Sequence, residues 1–197
     1  MDMADVVGGD VILFSGDTPI HRFVRKHTGS PWVQAGIVVE LPNQRDLFLL
    51  ESTSRPVCPD IESGTLLPGV RTTPLRIRIE ATEGAAAVRK LIPRLTDELI
   101  RELAGYRERT LGLPFDFSTR SIRRTLRRAH PDFDQSSFTC SGLVAAAYQA
   151  IGIMSHPPLG TLPSNVWPAD FCHQERLGLT NGYGFGPLSV IWGQPTA

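Results

Sequence analysis

Cys140 is the residue best placed for chemistry. It opens the segment FTCSGLVAAAYQAIGI, residues 138–153, in which Leu143, Val144, Ala147 and Ile151 recur at helical spacing. Cys140 stands three and four positions before Leu143 and Val144, so it points to the same inward side. It also falls in the first helical turn, where the dipole and free N–H groups favour a thiolate and could hold a developing oxyanion. A thiol so placed can attack an acyl carbon. Cysteine is also a common small core side chain, and this segment alone leaves both roles open. Cys58 and Cys172, the other two cysteines, lack the helix-head setting and read as structural. The wide spacings contain no C-x-x-C pair and do not suggest zinc. An odd count without a leader does not suggest a disulfide framework.

Three other groups could take part. Glu51 closes LFLLEST, where Leu47, Leu49 and Glu51 share one face; two apolar neighbours make that face inward, and a glutamate there needs a partner. Five histidines could carry protons: His21 and His27 on one predicted helix, and His130, His156 and His173, each of which could equally be solvated or capping. Arg120, Arg123, Arg124, Arg127 and Arg128 put five positive charges within nine residues. That stretch reads first as an amphipathic surface helix. Its sharper reading is an anion-binding face for phospholipid head groups, a phosphorylated substrate or an acidic partner. Nucleic acid is not expected, because no aromatic residues are interleaved for stacking.

The elements that must position these groups follow from local signals. GDVILFS, residues 9–15, reads as a strand. Thr18-Pro19 opens a helix to about His27, closed by Gly29-Ser30-Pro31. QAGIVVEL (34–41), a turn at 42–46 and LFLLEST (47–53) read as a β-hairpin. Residues 54–68 are loop-like. Val70 to Ile79 alternates, with Arg76 and Arg78 on the exposed side and Pro74 suggesting a sheet edge or bulge. From Thr82 to Ala129 the pattern is mainly helical, with helices from Thr96 to Gly112 and from Ser118 to Ala129. Phe138 to Ile151 is an apolar helix, Asn165 to Gln174 a short one, and Leu188 to Trp192 a last strand.

Several of these segments, in order, resemble one known family. GDVILF resembles the opening strand of the circularly permuted papain-like (NlpC-type) superfamily, the YiiX-like group in particular. SPWVQAGIVVE resembles that group's histidine strand, FLLEST its following strand with an acidic residue, and GLPFDF its G-x-P-(aromatic)-D-(aromatic) element. FTCSGLV resembles its cysteine helix and LPSNVWPADF its closing element. The six span about residues 8 to 172. The resemblance implies an α+β, permuted papain-like fold: a small antiparallel sheet packed against helices, with the cysteine at the N-terminus of a core helix. It implies hydrolysis or transfer of acyl groups at amide, ester or thioester bonds, with Cys140 as nucleophile and Glu51 orienting the base. The base position itself falls on Gln34, whose amide can hydrogen-bond but cannot usefully take a proton. Three accounts of Gln34 stand side by side: a natural pseudoenzyme using the cleft for binding, a replaced native histidine, or a proton relay from another histidine.

The bulk composition fits this reading. The 197 residues are expected to form one permuted NlpC/papain-like domain (1–197), long enough for a core without staples. Hydrophobic residues make up 41% and charged residues 20%, with zero formal net charge, so no global field draws in nucleic acid or membrane. The acidic start and the lack of a long apolar run suggest a cytoplasmic protein. No metal or organic cofactor is implied. The expected ligand is a small-molecule, peptide or lipid acyl substrate.

Overall fold

The structure, a computed structural model, describes residue 3 and residues 5–116, 135–156 and 162–195. Six strands form one antiparallel sheet: β1 (Val11–Phe14), β2 (Gln34–Glu40), β3 (Leu47–Thr53), β4 (Gly69–Pro74), β5 (Ala86–Ile92) and β6 (Gly184–Trp192), in the order β4-β3-β2-β1-β5-β6. The described helices are α1 (Pro19–Thr28), α2 (Leu75–Glu80), α3 (Asp97–Thr110) and α4 (Cys140–Ala150), followed by three short 3-10 turns between Pro163 and Arg176. None of these helices is long and apolar enough to cross a membrane. The chain is therefore α+β, with its sheet packed against helices as the sequence implies.

Both faces of the sheet are covered. Ala35, Ile37 and Val39 of β2 meet Leu103 and Tyr106 of α3 and Leu143, Val144 and Ala147 of α4 in one apolar cluster. Ile12, Phe14, Val38 and Leu49 meet Leu75 and Ile79 of α2 in the other. This explains why β1, β2 and β3 read as nearly continuous apolar runs: neither side is left to water.

The opening Gly-Asp pair has a definite task. Asp10 is buried, and its carboxylate accepts from the backbone N–H groups of Val7 (3.1 Å) and Leu91 (2.9 Å), which ties β1 to β5. Gly9 takes a positive φ of 92°, which a side chain would resist. Its carbonyl accepts from the Tyr148 hydroxyl at 2.6 Å, anchoring α4 to the first strand.

Gly36 shows why the hairpin carries a glycine two residues after position 34. A Cβ there would fall 2.8 Å from Cγ of Leu49, which is wholly buried. Gly36→Ala is expected to cost about 1–3 kcal/mol through overpacking, seen as a lower urea midpoint with an unchanged slope.

Two sequence expectations are corrected. The alternating run Val70–Ile79 is not one strand: β4 ends at Pro74, and Leu75 to Glu80 is helical. Leu75 and Ile79, four apart, are both fully buried, while Ile77 between them is 52% exposed, which is helical and not strand geometry. Pro74 does lie on a sheet edge, since β4 is the outermost strand. The second correction is β5, which lies inside the stretch read as mainly helical. Its alanines favour helix locally, but Ala86 and Ala87 are squeezed between β1 and β6, and tertiary pairing overrides propensity. The basic segment 118–129, with Arg120, Arg123, Arg124, Arg127 and Arg128, lies outside the described residues, as does His130.

Candidate active site

The head of α4 is fixed from several sides. Thr139 caps the helix, its side chain accepting from Gly142 N at 3.1 Å. Ser141 Oγ donates to the Val166 carbonyl at 2.6 Å, and Ser52 Oγ of β3 donates to the Phe138 carbonyl at 2.8 Å. Phe138 N donates to the Pro114 carbonyl, and Asp116 N to that of Phe138. The GLPF stretch and the LPSNVWPADF stretch are therefore stitched directly to the cysteine helix. Within the latter, Asp170 accepts from Trp167 N at 2.8 Å, which sets the Trp167 turn.

These elements border a cleft of about 470 Å³. Phe14, Gln34, Phe115, Cys140 and Trp167 all line it, one from each of five segments distant in sequence. Cys140 is only 8% exposed but has a face on this cleft. Burial pushes its thiol above the ordinary range. Hydrogen bonding from the backbone at Ala35 and Ser141 and from the Ser141 side chain pulls partly back, and the charge of Glu51 adds to the rise. The helix head favours the thiolate, but burial of the sulfur acts against it and the hydrogen bonds offset that only in part. Cys140 alkylation by iodoacetamide is expected to keep accelerating with pH beyond the inflection of free cysteine, because the thiolate forms only at higher pH. A mass-mapped pH–rate profile checks this, and an inflection below that of free cysteine would contradict it.

Gln34 and Glu51 lie on the α2 side of the hairpin, since Glu51 pairs with Gly36 and alternation puts position 34 on the same side. Gln34 Nε2 donates to the Ser52 carbonyl at 3.0 Å and more weakly to Glu51 Oε2 at 3.4 Å. The inward direction read for Glu51 is met, for it is 1% exposed. Its strong partner is Arg78, whose Nε donates to Oε1 at 2.7 Å in a buried ion pair.

A strand over Val70–Ile79 would turn Arg78 to solvent, so the sequence alone does not single out Arg78. It is 7% exposed and lies with its guanidinium carbon 3.9 Å above the centre of the Phe14 ring. The i,i+4 pairs Leu75/Ile79 and Arg76/Glu80, the latter an ion pair at 2.9 Å, were the available helical signal.

Of the histidines, His21 lines the cleft. Its ring lies over Gly16, where a Cβ would fall 2.3 Å from Nδ1, and that nitrogen is buried with no hydrogen-bond partner among the described residues. Burial, then the charges of Arg78, Arg55 and Arg25, hold its pKa below the ordinary value, with Asp17 opposing. His27 and His173 border a separate cavity beside Trp32 and Cys172. Cys58 and Cys172 are free thiols raised chiefly by burial. Among the described residues, no three of His, Cys, Asp or Glu come together as a metal ion would need.

No family model matches this sequence, and no curated protein does. Among solved structures the chain is similar to a crystal structure described as the metalloprotein YiiX from Escherichia coli O157:H7, DUF1105. The two share 19% identity with a TM-score of 0.57, over 96% of this chain and 98% of that one. At that identity the likeness speaks for architecture: the chain has a YiiX-like fold.

Proposed function

We propose that this chain is a cysteine acyl-hydrolase or acyltransferase scaffold on a permuted papain-like plan, with Cys140 at the nucleophile position and its base position filled by Gln34. The observation that carries the reading is one shared cleft: Cys140 at a capped helix head opens onto the same 470 Å³ space as Gln34, whose amide bonds towards Glu51. In the reaction such a site supports, the Cys140 sulfur attacks the acyl carbon of an amide, ester or thioester. The S–C bond forms as the bond to the leaving group breaks, and the thiol proton must end on that leaving group. The Cys140 and Ser141 amides at the head of α4, unlike that of Gly142, which Thr139 caps, are suited to hold the oxyanion. Water or a second nucleophile then releases the acyl group.

Gln34 cannot carry the proton, so in this sequence the step is slow. That favours a second reading, a binding module that keeps the cleft without turnover; the raised Cys140 thiol favours it as well. The YiiX neighbour is described as a metalloprotein, but the described residues of this chain do not fit a metal ion, and no step here is routed through one. The experiment is mass-mapped acylation by a panel of activated esters and thioesters, run on this chain and on Gln34→His. Acylation confined to Cys140 and accelerated in the variant supports the scaffold. No acylation of either chain leaves the binding module.

A further inference from the structure

Arg78 is more tightly held than its role beneath Gln34 and Glu51 requires. Its Nε is fixed by Glu51 at 2.7 Å, its Nη1 by Thr82 Oγ1 at 2.7 Å, and its plane rests on Phe14. These three restraints leave one edge of the fork. Nη2 has no partner among the described residues and is not among the unpartnered side-chain atoms sealed from solvent, and Arg78 lines the cleft. A guanidinium already locked in place loses little freedom when it binds, so its free N–H groups form a preorganised donor.

Charges of both signs line the cleft around this edge. Glu51 neutralises Arg78 and is its only acidic partner among the described residues. Arg55, exposed at the cleft, has no ion pair among them and adds an uncompensated positive charge. Asp17 is taken up by Arg22 at 3.3 Å and Arg25 at 2.6 Å. Glu83 and Asp116 also line the cleft. His21, Arg55 and Arg78 all line this cleft.

We propose that this cleft takes a ligand bearing a carboxylate or phosphate group, held on the free edge of Arg78 and attracted by Arg55. As a substrate class, an acyl compound with an anionic group, this rests on the acyl-transfer reading; the anion binding itself does not.

The test uses the full chain with Cys140→Ser, so that no thiol chemistry intervenes. The His21 ring resonance, assigned with a His21→Gln variant, is followed while sodium phosphate or sodium acetate replaces sodium chloride at constant ionic strength. A saturable shift is expected with at least one of them, together with a rise in the His21 pKa as the bound anion offsets the two guanidinium charges. Arg55→Gln should weaken that binding about 2- to 5-fold, and Arg78→Lys, which keeps charge but loses the fork, about tenfold or more. Saturation by phosphate alone assigns a phosphate group, and by acetate alone a carboxylate. If Arg78→Lys does not fold, Arg55→Glu replaces it, with loss of binding expected. Shifts no larger than chloride gives, or affinities untouched by these variants, overturn the proposal. Such a failure leaves the Cys140 chemistry standing, and a failure of acylation leaves the anion site standing.

Discussion

Gln34→His is expected to raise the rate of Cys140 acylation by an activated ester about 100- to 10,000-fold, the usual worth of a general base. The Gln34 side chain reaches the Ser52 carbonyl and Glu51 Oε2, so an imidazole at this position can donate from one nitrogen to those acceptors and present the other to the cleft. The gain should be large because burial holds the Cys140 thiol protonated at neutral pH: with little thiolate present, a group that removes the proton changes the rate most. The variant's rate should also acquire a rising limb near the ordinary histidine pKa of about 6.5, where the parent chain only climbs towards alkaline pH. Single-turnover acylation mapped to Cys140 measures both. A folded variant acylated no faster than its parent would show that position 34 does not address the sulfur, and the catalytic plan would fail.

The second large effect concerns stability. Glu51→Leu is expected to cost about 3–5 kcal/mol, the consequence of leaving a buried guanidinium without its counter-charge. Glu51 is 1% exposed and Arg78 7%, so the carboxylate is sealed from water and the guanidinium reaches it along one edge at most. The double variant Glu51→Leu with Arg78→Met should recover most of that loss, because it removes both charges and fills the space with apolar atoms. Urea unfolding of the two single variants and the double variant gives the coupling energy directly. A loss below about 1 kcal/mol for Glu51→Leu, the range of an exposed pair, would mean that the ion pair is not the structural unit described. The result also bears on the site: a glutamate committed to Arg78 through one oxygen has only the other left to orient residue 34.

Much of this arrangement was legible from residue types. The hairpin 34–53 was read because β-branched and apolar runs flank a Pro-Asn turn, and its strand limits agree with β2 and β3 almost to the residue. The α4 helix was read because its apolar positions recur with one period. What failed shares a physical cause. In Leu75–Glu80 the apolar residues fit a period of two as well as three to four, and only the packing of Leu75 and Ile79 against the sheet decides between them. In Ala86–Ile92 the alanines carry a helical preference that close-packed neighbours on both edges overrule. Arg78 was lost with the first error. The burial that raises the Cys140 thiol comes from packing around the sulfur, which its place at a helix head does not reveal.

The bonds that tie the fold together join parts of the chain made far apart in time. Tyr148 reaches back 139 residues to Gly9, Arg89 Nε donates to the Phe171 carbonyl at 2.8 Å, and Ser52 reaches Phe138. No early fragment can contain this pocket, and such non-local closure slows folding relative to helical bundles of similar size. A bound ligand therefore recognises only the completed molecule. It should protect the whole chain against heat and protease in proportion to its occupancy, even though it touches one corner of the surface.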